Sequence, residues 1–199
     1  MKGPDTALLI FAKAPIPGQA KTRLIPALGK VGAAELQQRL LANTVQMTKE
    51  LGECAVELWC TPDTEHPAFS TTGLPLQPQQ GADLGERLSR AMQAALEHYP
   101  VAIVIGTDCP ELKAEDIRHG LRLLQAGNEA VIGPAADGGY YLLGLSRFEP
   151  SLFEGVSWGD NTVLEETLER LQRAGMHCEK LTVKHDLDRP EDLYRFPEL

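Results

Sequence analysis

AIVIGTDCPEL (102–112) sets four apolar residues ahead of Gly106, Thr107 and an aspartate, with Cys109 and Pro110 directly behind. A continuous apolar run of this length is the pattern of a strand covered on both faces, since side chains pointing to either side of the pleat must all be buried. ALLIFAKA (7–14) and EAVIGP (129–134) share that character, and AVELWCT (55–61), GYYLLGL (139–145) and CEKLTV (178–183) read as further strands. Asp108 then stands where such a strand ends, at the edge of whatever sheet it joins.

Helical spacing fills the intervals between these strands. Ala33, Leu36, Leu40, Thr44, Met47 and Leu51 form one stripe; Leu84, Leu88, Ala91, Met92 and Ala95 form a second; Ala114, Ile117, Leu121 and Leu124 form a third. Asp83, three residues before Glu86, reads as the capping box of the second helix. A further helix is expected over about 161–173, and Pro190 suits the first turn of a short final one. The segment 62–80 is proline-rich and irregular, with a short strand expected around 74–76. Strands alternating with helices predict an α/β domain with a mainly parallel sheet. The connection from EAVIGP to GYYLLGL is too short for a helical crossover, so the sheet is expected to be mixed.

A chain of 199 residues fits one domain over 1–199, because no linker, repeat or low-complexity tract divides it. The net charge of −9 argues against a nucleic-acid surface, whose phosphates it would repel. The ALLIF run stops at Lys13, too short for a leader, and no segment reaches the length of a membrane span, so a cytoplasmic location is expected. Cys54, Cys60, Cys109 and Cys178 make no paired motif and read as reduced thiols, most of them packed, rather than a structural zinc site. No coiled-coil pattern or apolar stripe marks a partner surface, which leaves the oligomeric state open.

In open α/β sheets, ligands bind beyond the carboxyl ends of the strands, which selects the loops that can carry chemistry. FAKAPIPGQAKTRLIP (11–26) follows the first strand: Gly18 lets backbone approach a ligand, and Lys13, Lys21 and Arg23 offer cationic donors to phosphate oxygens. It is not a P-loop, because two residues rather than none separate Gly18 from Lys21. A solvated basic turn is the alternative. Asp108 can hold a hard cation against substrate phosphates or simply cap a turn. Asp137, Gly138 and Gly139, between two strands, form either a tight turn or a flat floor for a sugar or acceptor; of Tyr140 and Tyr141, on opposite strand faces, at most one belongs to a site. Trp158, in a glycine-flanked loop, either stacks on a base or sugar or seals the core. His185, Asp186 and Asp188 follow the last strand, where the two aspartates point the same way and either complete a metal site with Asp108 or cap the helix at Pro190. His185 and Asp137 are the residues considered as a general base.

Taken in order, FAKAPIPGQAKTRL, GADLGERL, GTDCPEL, ADGGYYLLGL, VSWGDNTVLEET and HDLDRPEDL resemble a family of bacterial glycosyltransferase-like proteins with the GT-A, nucleotide-diphospho-sugar transferase fold. Some of its members carry the label of arsenosugar biosynthesis glycosyltransferases. More distantly, the opening loop and Asp108 are similar to 2-phospholactate guanylyltransferase and the molybdenum cofactor guanylyltransferases. The resemblance covers nearly the whole chain and implies a single-domain, Rossmann-type three-layer sandwich. It also implies that Lys21 and Arg23 contact phosphates with a catalytic role, and that Asp108 ligates Mg²⁺ or Mn²⁺, with Asp186 or Asp188 as a further ligand. The chain departs from the molybdenum cofactor enzymes in lacking their Gly-Gly loop, and from many glycosyltransferases in having a lone Asp108 in place of Asp-X-Asp. The expectation is a metal-dependent transferase that takes a nucleotide sugar and a small-molecule acceptor. The alternatives are a nucleotidyltransferase that takes a nucleoside triphosphate and releases pyrophosphate, and a nucleotide-binding protein without turnover.

Overall fold

The computed structural model describes residues 4–199; residues 1–3 of the expected 1–199 domain lie outside the described residues. Its strands are β1 (Thr6–Lys13), β2 (Cys54–Thr61), β3 (Leu76–Pro78), β4 (Val101–Ile105), β5 (Ala130–Pro134), β6 (Tyr140–Leu145) and β7 (Cys178–Lys180). Its helices are α1 (Ile25–Thr48), α2 (Pro67–Ser70), α3 (Leu84–Leu96), α4 (Ala114–Gln125) and α5 (Val163–Arg173), with short 3-10 turns at Thr22–Leu24, Pro150–Leu152 and Pro190–Tyr194. The strands form one sheet in the order β3-β2-β1-β4-β6-β5-β7. Only β6 runs against its neighbours, pairing antiparallel with both β4 and β5, as the short connection before it requires.

Alternation along the strands splits the core into two layers. Leu8, Ile10, Ile103 and Ile105 face Leu41, Val45, Ile117 and Leu121 of α1 and α4, whereas Ala7, Leu9, Ala102 and Val104 face Leu88, Met92 and Leu171 of α3 and α5. The result is a three-layer sandwich. Asp83 caps α3 by accepting from Glu86 N at 2.9 Å, and Glu86 Oε2 accepts in return from Ala82 N at 3.1 Å. A third cluster joins Leu24, Leu36 and Leu40 to Leu187 and Phe196, so the C-terminal segment is stapled to α1. Leu187 is fully buried there, a contact that contributes about 1.5–3 kcal/mol.

Three boundaries differ from the sequence expectation. The first helix starts at Ile25 rather than near Ala33, because Pro26 suits its first turn and the break at Gly29 (φ 71°) conceals the early turn from a periodicity search. β7 ends at Lys180 rather than 183, although Leu181 N still bonds Ile132 O and Lys184 N bonds Pro134 O as the chain passes the sheet's edge. The short strand expected around 74–76 is instead β3, two residues later.

Candidate active site

β1 and β4 lie side by side and parallel, yet the chain leaves β1 through α1 toward β2 and β3 and returns to β4 on the other flank. Their outgoing connections therefore lead to opposite flanks of the sheet, and a crevice lies beyond their carboxyl ends. A cavity of about 620 Å³ occupies it, lined by Lys13, Lys21 and Arg23 after β1, Thr107 and Asp108 after β4, Asp137 and Gly139 before β6, Trp158, and Asp186 and Asp188 of the C-terminal segment.

Lys21 is the centre of this arrangement. Its side chain is 3% exposed, and its ammonium donates to Leu187 O at 2.7 Å and pairs with Asp108 Oδ1 at 2.9 Å, with Asp188 Oδ1 at 4.0 Å. Lys21 adopts a left-handed backbone (φ 46°), which costs about 1–2 kcal/mol for a residue with a Cβ. That strain is held by the buried contacts of its side chain. The expected free phosphate donor is thus an internal cation that ties three segments together. Arg23, half-exposed, pairs with Asp188 Oδ2 at 2.6 Å, and Lys13 is exposed at the rim.

Asp108 is held from two sides by one oxygen. Gln37, 3% exposed on α1, donates from Nε2 to Thr107 Oγ1 at 3.1 Å; the threonine hydroxyl, its oxygen so engaged, donates to Asp108 Oδ1 at 3.3 Å. Lys21 grips the same Oδ1. Among the described residues no hydrogen bond or ion pair reaches Oδ2, and the Asp108 side chain is 48% exposed toward the cavity.

Asp186 lies deeper. Burial, reinforced by the charges of Asp108, Asp137 and Asp188 and opposed by Lys21, raises its pKa to about 7. Among the described residues no group of three or more His, Cys, Asp or Glu stands ready to hold a metal ion. The expected trio of Asp108, Asp186 and Asp188 shares the cavity without forming such a group, because Asp188 is turned to Arg23. The donor chemistry nevertheless fits a divalent cation: the open carboxylate oxygen of Asp108 and the under-neutralised Asp186 are hard ligands in a pocket with surplus negative charge.

The remaining expectations divide. Asp137, Gly139 and Trp158 line the cavity, but Gly18 and Gly138 do not. Gly138 (φ 94°) is required for packing, since a Cβ there would meet Asn161 O at 2.1 Å. His185 is removed from the cavity by Glu111, whose Oε2 lies 2.7 Å from its backbone N and 3.2 Å from Nδ1; it is not placed to act as a base. Tyr140 and Tyr141 both reach the cavity wall, where one at most was expected. Tyr141 donates to Thr182 O at 3.0 Å, whereas the buried Tyr140 hydroxyl has no hydrogen-bond partner among the described residues and its ring meets Trp158 edge-on at 6.4 Å. Cys109 is buried and its thiol pushed up to about 12, chiefly by burial, as expected of a packed thiol.

Residues 44–160 match the family model described as "Uncharacterized protein conserved in bacteria (DUF2064)". The chain belongs to this family. The matched span of DUF2064 carries Asp108, Asp137 and Trp158, while the opening loop and the C-terminal aspartates lie outside it. No curated protein matches the chain in sequence. Among solved structures it is similar to a protein of Desulfovibrio desulfuricans G20 named provisionally as a nucleotide-diphospho-sugar transferase, with 32% identity, TM-score 0.88, and coverage of 98% of this chain and 88% of that one. The fold alone is shared with CMP:2-keto-3-deoxy-manno-octonic acid synthetase complexed with CTP (13% identity, TM-score 0.61, 96% of each chain covered). It is shared likewise with glucosyl-3-phosphoglycerate synthase of Mycobacterium tuberculosis in complex with Mn²⁺, UDP and its product (11% identity, TM-score 0.58, 97% of this chain and 75% of that one). The GT-A-like architecture expected from the motifs is the one this DUF2064 chain has.

Lining residues that escape a reading of the sequence include Gln37, Gln79, Arg87 and Asp160. Gln79 bonds Trp59 O at 2.8 Å, and Arg87 Nε donates to Gly81 O at 3.1 Å, so each is placed by backbone it cannot name in advance. Gln37 had a usable signal, a polar residue on the otherwise apolar face formed by Ala33, Leu36 and Leu40.

Proposed function

We propose that this protein is a metal-dependent transferase acting on a nucleotide-activated sugar, with 1–199 as one domain. The observation that carries the reading is Asp108, fixed through Oδ1 at the end of β4 with Oδ2 open to a cavity rimmed by Lys13, Arg23 and Arg87. A departing nucleoside diphosphate builds up negative charge, and a site that transfers its sugar must neutralise that charge with fixed cations. Asp108 and Asp186 would hold Mg²⁺ or Mn²⁺, which when bound acts as a Lewis acid toward the diphosphate oxygens. Lys13 and Arg87 supply cationic donors at the rim, and Arg23 adds a third once Asp188 shares it. Lys21 keeps Asp108 oriented from beneath. The name of the 32%-identical relative and the Mn²⁺ and UDP of the synthase that shares the fold support the reading.

Nucleotidyl transfer draws on the fold shared with the CTP-bound synthetase, and it needs Lys21 and Arg23 as a grip for a triphosphate's outer phosphates. With Lys21 buried against Asp108 and Leu187, that grip loses its nearer cation. Incubating the protein and Mn²⁺ with separate panels of nucleotide sugars and nucleoside triphosphates separates the readings. Release of a nucleoside diphosphate with loss of the sugar is the outcome predicted here. Pyrophosphate release in place of it supports nucleotidyl transfer, and binding without either product supports a non-catalytic nucleotide-binding protein.

A further inference from the structure

The cavity's cations and carboxylates are unevenly paired: Lys21 and Arg23 sit on Asp108 and Asp188, whereas among the described residues no lysine or arginine nitrogen lies within 4.0 Å of Asp137 or Asp160. Every lysine and arginine on its wall, Lys13, Lys21, Arg23 and Arg87, comes from the segment that ends in α3. Among the described lining residues beyond Arg87 there is no cation, while Asp137 and Asp160 stand exposed beside Trp158 and Tyr140. We infer that the second substrate, the acceptor, is an uncharged hydroxyl-bearing molecule such as a sugar or polyol, and not a phosphate monoester. The inference rests on the donor reading above, in which Lys13, Arg23 and Arg87 take the nucleotide's diphosphate.

Physical chemistry favours this assignment on three grounds. A phosphate monoester carries between one and two negative charges at neutral pH and needs arginine or lysine donors to replace its hydration, and the surroundings of Asp137 and Asp160 offer no such donor within ion-pair distance among the described residues. Carboxylates, in contrast, accept charge-assisted hydrogen bonds from hydroxyls. Asp137 is preset for this: its Oδ1 accepts from Gly139 N at 2.9 Å, which fixes the carboxylate and leaves Oδ2 for a ligand. The indole of Trp158 adds an apolar surface suited to the C–H face of a sugar ring. Its position is built in, because Gly85 of α3 leaves no Cβ in its way, where one would lie 2.4 Å from Trp158 Nε1, and Tyr140 meets it edge-on.

In the transfer, the acceptor's hydroxyl oxygen bonds to the anomeric carbon while that carbon's bond to the diphosphate oxygen breaks. The bonding pair leaves with the diphosphate, and the hydroxyl proton is released to solvent. No further reactant is needed.

The test uses the full chain with Mn²⁺. Calorimetry with UDP-, GDP-, ADP-, CDP- and dTDP-glucose first asks whether a donor binds, and diphosphate release is then measured with paired acceptors: glycerol and glycerol 3-phosphate, glucose and glucose 6-phosphate, mannose and mannose 6-phosphate. The inference predicts that an unphosphorylated member of a pair accelerates release about tenfold or more over its phosphate, a factor equivalent to one charge-assisted contact. It also predicts that Asp137→Lys with Asp160→Lys narrows that ratio. A bound donor whose release is accelerated by the phosphate member, or by neither, overturns the acceptor class while the donor reading stands. Failure of every nucleotide sugar to bind overturns the donor reading and this inference with it.

Discussion

Lys21 Nζ lies 2.9 Å from Asp108 Oδ1 and donates to Leu187 O at 2.7 Å, so a single buried cation joins the loop after β1, the loop after β4 and the C-terminal segment. A lysine read as a phosphate grip is therefore a structural cation first. It fixes the carboxylate on which metal binding is proposed to depend.

Replacing it with a neutral isostere separates these roles. Lys21→Met leaves Asp108, Asp186 and Asp188 facing one another without their shared ammonium, and half of the Asp108 side chain is open to screening water. A loss of about 1–3 kcal/mol in metal-free denaturant unfolding is expected, smaller than for a fully buried pair. Added Mn²⁺ should return part of it. Unchanged stability without metal would mean the ammonium does no structural work.

Thr107 offers a finer probe. Thr107→Val keeps the shape and deletes the donor to Asp108 Oδ1, so Mn²⁺-dependent nucleotide-sugar binding should weaken about three- to tenfold, the worth of one hydrogen bond. Thr107→Ser should restore it. Equal losses in both variants would point to packing rather than to the hydroxyl.

The raised pKa of Asp186 has a definite sign. Folded, the group holds its proton up to about pH 7, against an ordinary value of 3.8, so across that interval the folded chain binds a proton that the unfolded chain has released. Its contribution to stability is fully present below the unfolded pKa, declines as pH rises toward 7, and stays at its least favourable above that. Asp186→Asn should therefore gain stability over the parent between pH 4 and 7, a window set by those two values, and hold the gain beyond. Paired thermal melts across this range check it; a constant difference would remove Asp186 as the titrating group. Mn²⁺ affinity of the parent should rise over the upper part of the same interval, as the competing proton leaves.

Adjacent glycines make a structural control. Gly138→Ala places a Cβ 2.1 Å from Asn161 O on a backbone with φ 94°, whereas at Gly139 the nearest atom is a movable Asp137 oxygen at 3.3 Å. Gly138→Ala should lower the stability by more than about 1 kcal/mol, and Gly139→Ala by clearly less. Melting curves of the two variants decide this, and equal losses would contradict the packing assigned to Gly138.

These residues also show what was legible in the sequence. Buried strands such as ALLIFAKA and AIVIGT announce themselves because both faces must be apolar, and the antiparallel β6 followed from one short connection. Asp108, Asp137, Trp158, Asp186 and Asp188 could be gathered in advance because the strand-end rule places their loops together. The rule says nothing of where a side chain turns once there. That Lys21 buries its charge, that Gly138 packs on Asn161, and that Glu111 draws His185 away are outcomes of tertiary contacts between segments distant in the chain. Arg87 and Asp160 were missed for the same reason: nothing local distinguishes a lining charge from a solvated one.

The most direct test of the account is Mn²⁺-dependent nucleotide-sugar affinity, measured by calorimetry for the parent and Asp108→Asn, with circular dichroism and melting to monitor the fold. The account predicts an intact fold and an affinity weakened about tenfold or more, the scale of losing a charged ligand contact. Equal metal-dependent affinity in a folded Asp108→Asn protein would contradict it.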